Sequence, residues 1–291
     1  MNAHIITGLN SGLGDMYSNI YRVYDVQQQL KNLGYTVYVY IDFTRNPYKV
    51  NSPDRSVFYK VFKLDMLDNL TIISNGDTSL FDSVKNNNEY YYNYEHIYSV
   101  YVDRKVDELS NIHHMKHSWY YRDDLPKINF FTDEVTEYCI NKRNSLGDEF
   151  YGIHYRPFAS DNPVNQEEDL NTYKNEIDKF LITNKDKKVY VSVQFDIVKN
   201  YLRNSSHENF ILNDYKFPLT FEHIRTMNLT DDILYEYLKE TIFDMYMLST
   251  CKQIYRIANW FSGFLFFTCT FNNTGIPNQE RFIPEYPITP L

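Results

Sequence analysis

A histidine and an arginine two residues apart, His154 and Arg156, stand at the end of a short apolar run near the middle of a 291-residue chain. The run Phe150, Tyr151, Ile153 reads as a strand, and Pro157 breaks it at once. Strand side chains alternate, so the imidazole and the guanidinium share one face. A strand that stops at a proline leaves its last residues at the carboxyl edge of a sheet, where open α/β proteins bind ligands. Arg156 offers a fixed fork of donors suited to a diphosphate, and His154 adds a second donor or a proton shuttle. The same pair also reads as a solvated strand end with a satisfied histidine.

A second set lies near the N-terminus, in Gly8-Leu9-Asn10-Ser11-Gly12-Leu13-Gly14-Asp15. The spacing G-x-x-x-G-x-G is neither the dinucleotide fingerprint nor a phosphate-binding loop with its lysine. Gly12, Leu13 and Gly14 still let backbone approach a ligand closely, and the helix start behind them favours an anion. Asp15 is either the N-cap of that helix or a carboxylate aimed into a cleft. His113, His114 and His117 have no carboxylate or thiol nearby in sequence and read as a surface helix face rather than a metal site.

The elements that must position these residues follow from periodicity. Residues 3–7 form a short apolar strand. Met16, Ile20, Val23, Tyr24, Leu30 and Leu33 then recur at helical spacing, Gly34 stops the helix, and residues 35–41 are a β-branched and aromatic strand. This is a βαβ unit, whose crossover requires a parallel pair. Residues 57–64 and 70–74 are expected as strands, residues 86–94 as a polar, tyrosine-rich loop, and residues 133–142 as a helix. The α/β alternation resumes after a turn at 144–147. A strand over 149–155 is followed by a helix over 168–183, a strand over 188–195 ending at Asp196, and a helix over 197–202. A short strand over 209–212, a long helix over 230–250 and a strand over 253–257 come next, then a turn and an apolar helix, with prolines marking an extended tail. The expected architecture is α/β with two Rossmann-like domains, residues 1–147 and 148–291, and a cleft between them.

Bulk properties narrow the function. The net charge of −9 disfavours a non-specific nucleic-acid binder. Three scattered cysteines, Cys139, Cys251 and Cys269, lack metal-ligand spacing and suit free thiols in a reducing compartment. The N-terminus has no basic region followed by an apolar core, and no apolar run approaches a membrane span. A cytoplasmic protein with no integral membrane segment is expected.

Three segments together resemble the GT-B glycosyltransferases of the fucosyltransferase superfamily, which includes α-1,2-, α-1,6- and protein O-fucosyltransferases. They are the glycine-rich turn Ser11-Gly12-Leu13-Gly14-Asp15, the sequence His154-Tyr155-Arg156, and residues 244–265 (DMYMLSTCKQIYRIANWFSGFL). The second is similar to the start of an H-x-R-x-x-D motif. The third is similar to a closing pattern of helix, short strand and x-F-S. The chain departs from the pattern where the motif aspartate falls on Ala159, where Trp260 precedes Phe261, and where the first loop lacks the Gly-Asn-Gln form.

The resemblance implies transfer of a sugar, fucose from GDP-fucose, to a glycan or glycoprotein hydroxyl by inversion. It implies Arg156 in place of a metal and His154 supporting it or binding the diphosphate. Ser262, with the amides of Phe261 and Gly263, would hold the phosphates. Asp196, with Gln194 beside it, would meet the nucleoside, and Asp15 would take the acceptor proton. No metal or other cofactor is expected. Donors based on UDP, such as UDP-xylose, and a non-catalytic nucleotide-sugar or carbohydrate-binding protein are the rival readings. A dehydrogenase is disfavoured by the glycine spacing.

Overall fold

The computed structural model describes residues 1–8, 12–43, 56–73, 77, 79–94, 98–112, 128–147, 149–155, 163–193, 195–213, 229–257 and 282–283. The chain divides into two compact units. One takes Met1–Tyr121, Phe130–Thr132 and Leu229–Leu234; the other takes Arg122–Asn129, Asp133–Asn228 and Tyr235–Leu291. Each unit carries its own five-stranded sheet.

In the first unit, strand β1 (Asn2–Gly8), helix α1 (Leu13–Asn32) and strand β2 (Thr36–Asp42) form the expected βαβ unit, with β1 and β2 parallel. Helix α1 ends as its sequence demands. Gly34 takes φ +84, and the Tyr35 amide reaches back to the Leu30 carbonyl at 3.1 Å. Strand β3 (Thr71–Ile73) extends the parallel set beyond β2. On the other side of β1 the sheet is antiparallel. Strand β5 (Tyr98–Val102) pairs with β1, and β4 (Glu89–Tyr94) pairs with β5, giving the order β3-β2-β1-β5-β4.

Two expectations fail here. Residues 57–64 are not a strand: helix α2 (Ser56–Val61) occupies most of them. Val57, Phe58, Val61 and Phe62 are buried while Tyr59 and Lys60 are exposed, which is a helical stripe that a short apolar run does not distinguish from a strand. Residues 86–94 are not a loop. Helix α3 (Ser79–Asn87) ends there and β4 follows, because tyrosines favour a pleated surface even where asparagines blur the alternation.

The tyrosine and phenylalanine content is used in this core. Tyr17, Tyr21 and Tyr24, on successive turns of α1, meet Phe130 at centroid distances of 5.9, 5.7 and 5.4 Å, and Phe131 lies 4.6 Å from Tyr17. Each such pair contributes about 0.5–1.5 kcal/mol beyond its buried area.

The opposite sheet face holds His4, stacked 5.1 Å from Tyr38, with Nδ1 3.0 Å from the Tyr40 hydroxyl. Burial lowers the His4 pKa, against the opposing pull of Asp103. A folded-state pKa below the unfolded value of about 6.5 means that this contribution is complete above that pH and is lost as pH falls through the folded value. We expect His4→Gln to lose less melting temperature than the wild-type chain between pH 7.5 and 5. Equal acid slopes for the two proteins would clear His4 of the role.

The second unit is built on strand β6 (Tyr151–Tyr155), β7 (Val189–Ser192), β8 (Phe210–Leu212), β9 (Ile254–Ile257) and β10 (Phe282–Ile283). They run in the order β10-β9-β6-β7-β8, and every pairing is parallel. Helix α4 (Asp133–Asn144) leads into β6, and α5 (Pro163–Thr183) and α6 (Asp196–Arg203) connect β6, β7 and β8. Helix α7 (Asp231–Thr250) returns the chain to β9. Within the proline-marked tail, the pair that is described joins β9 as a parallel edge strand. Among the described residues, no helix is long and apolar enough to cross a membrane.

Candidate functional site

Strand β6 lies at the centre of the second sheet. From it the chain winds outward to β7 and β8, then crosses back to β9 on β6's other side. The strand order therefore reverses between β6 and β9. In open parallel sheets that reversal leaves a crevice at the carboxyl ends, and ligands bind there. The last two residues of β6 at this point are His154 and Tyr155.

Alternation sorts β6 cleanly. Tyr151, Ile153 and Tyr155 join Val189, Val191, Tyr255 and Ile257 in a core that also takes Leu170 and Ile177 of α5. Gly152 and His154 face the other way. A Cβ on Gly152 would stand 3.1 Å from Leu248 Cδ2 and from Cys251 Sγ, so glycine is what lets the end of α7 pack onto the strand. His154 is 5% exposed, which removes the solvated-end reading. Its register partners are Ser192 on β7 and Arg256 on β9.

The same face carries a residue that the sequence reading left as part of a helix. Asp244 of α7 is buried; it accepts a hydrogen bond from the Tyr190 hydroxyl, and Ser192 Oγ donates to its other oxygen at 3.5 Å. A carboxylate inside the apolar run Ile242–Leu248 was the available signal, since such a residue is buried only where partners await it. Thus β6 and β7 present His154 and Ser192 side by side, with Asp244 bonded to Ser192.

Burial pushes the Cys251 thiol up to about 12, and the buried Cys139 thiol is pushed up as well, chiefly by burial. Among the described residues, no three His, Cys, Asp or Glu side chains group as metal ligands.

Strand β7 stops at Ser192, earlier than expected, and Asp196 is the exposed first residue of α6 rather than a strand end. Phe195 occupies the N-cap without a side-chain cap, so a carboxylate in the first turn complements the helix dipole. Arg156, Gln194, Phe261, Ser262 and Gly263 lie outside the described residues, as do His113, His114 and His117.

In the first unit, β1 ends at Gly8 and Gly12 is the N-cap of α1, with no side-chain cap hydrogen bond. The first helical backbone bond runs from the Met16 amide to the Gly12 carbonyl at 2.9 Å. The amides of Leu13, Gly14 and Asp15 belong to the first turn, whose N–H groups have no partner within the helix. Asp15 is the third helical residue, so the N-cap reading of it is wrong; its side chain is not among those described. Asn19 ties the second turn to the strand end by donating to the Gly8 carbonyl at 3.3 Å.

No protein-family profile matches the sequence, and no curated protein matches it. Solved structures do match the fold. The crystal structure of NodZ α-1,6-fucosyltransferase soaked with GDP-fucose aligns over 93% of this chain and 93% of its own, with a TM-score of 0.51 at 11% identity. The fucosyltransferase NodZ from Bradyrhizobium aligns over 93% of this chain and 92% of its own, with a TM-score of 0.50 at 13% identity. The α/β fold of this chain is therefore that of these fucosyltransferases, in agreement with the fold class that the three segments implied.

Proposed function

We propose that the chain is a glycosyltransferase that moves fucose from GDP-fucose to a glycan or glycoprotein hydroxyl, with inversion and without a metal ion. The observation that supports this reading is the placement of His154 at the switch point of the second sheet, in a chain with the fold of the α-1,6-fucosyltransferase. The reading assigns donor binding to residues 148–291, acceptor binding to residues 1–147, the transfer to a cleft between them, and the protein to the cytoplasm. Free buried thiols at Cys139 and Cys251 suit that compartment.

Transfer breaks the bond between the anomeric carbon and the diphosphate oxygen, so negative charge grows on the leaving diphosphate. Arg156, which follows β6 directly, neutralises that charge with a bidentate fork. His154, held within the α7 face beside Ser192, supports Arg156 or donates to a phosphate oxygen. Ser262 and the amides of Phe261 and Gly263 hold the phosphates, and Gln194 and Asp196 meet the nucleoside. Gly12, Leu13 and Gly14 bring backbone close to the ligand from the other unit, and Asp15 takes the acceptor hydroxyl proton.

The test is a melting-curve panel with GDP, UDP, GDP-fucose and UDP-xylose, followed by turnover of whichever donor binds. GDP and GDP-fucose are expected to raise the melting temperature, with turnover unchanged by EDTA and not increased by Mn²⁺. A shift with UDP-xylose alone would move the donor assignment. Binding without turnover on a panel of glycan acceptors would leave a binding protein. Activity abolished by EDTA and restored by Mn²⁺ would remove Arg156 from the metal's role.

A further inference from the structure

We draw no further inference here: the strongest candidate, the buried side-chain cluster of Asp244, Tyr190 and Ser192 where α7 packs on β7 beside His154, belongs to the site already described.

Discussion

Arg156→Lys is expected to keep the melting curve of the wild-type chain and lose about two orders of magnitude in turnover, the cost of roughly 3 kcal/mol for one misplaced transition-state donor. The leaving diphosphate gains charge only as the glycosidic bond breaks, so an interaction with it acts on the rate more than on ground-state binding. A guanidinium can place two parallel N–H groups on two phosphate oxygens. An ammonium offers one compact, strongly hydrated charge on a flexible stem and cannot reproduce that geometry. The sequence motivates the expectation: Arg156 comes two residues after the buried His154, whose strand lies where the strand order of a parallel sheet reverses. The opposing expectation is also sharp. A surface arginine changed to lysine alters stability and rate by no more than about 0.5 kcal/mol. Donor turnover and a melt of one variant decide between them, and unchanged turnover would take Arg156 out of the reaction.

Much of the second unit was legible in the sequence because its strands are short, β-branched and bounded by polar residues. The segment from β6 to β9 alternates so regularly that only a parallel sheet accommodates it, and His154 falls on a strand end as its spacing before Pro157 requires. The first unit was harder to read. Tyrosine serves both strands and helices, so Val57, Phe58, Val61 and Phe62 looked like part of a strand although they line one face of a helical turn. The antiparallel return of β4 and β5 to the side of β1 left no local mark, since pairing partners some hundred residues apart are set by tertiary packing. Asp15 illustrates a boundary error. Taking the helix to start at Met16 made Asp15 its cap, whereas Gly12 is the cap and the helix begins at Leu13. The buried network of Asp244, Tyr190 and Ser192 was invisible because no spacing rule links a helix residue to strand residues more than fifty positions away.

Glu240→Ala is expected to destabilise the second unit by about 3 kcal/mol, the lower end of the range for breaking a buried ion pair. Glu240 of α7 is 13% exposed and accepts at both oxygens: Lys142 Nζ of α4 lies 2.5 Å from Oε2, and the Tyr138 hydroxyl lies 2.5 Å from Oε1. Lys142 also donates to Asn213 Oδ1, just past β8, at 2.9 Å, and stands 4.4 Å from the centroid of Phe243. Removing the carboxylate leaves the Lys142 ammonium with Asn213 Oδ1 and the Phe243 ring but without its counter-charge, and the Tyr138 phenol without its acceptor. Because the Lys142 side chain is 29% exposed, it regains some water, which is why the lower end applies. At about 2–4 °C per kcal/mol for a domain of this size, the midpoint should fall by about 6–12 °C. Glu240→Gln keeps one acceptor oxygen, loses the charge and turns an amide N–H₂ toward the other donor, so a shift smaller than that of Glu240→Ala is expected. Lys142→Met placed on Glu240→Ala should recover part of it, since the uncompensated charge is then gone. An exposed pair of the same residues contributes about 0–1 kcal/mol, so a midpoint that moves by less than about 2 °C in Glu240→Ala would mean that apolar packing, not this charge network, fastens α4 to α7.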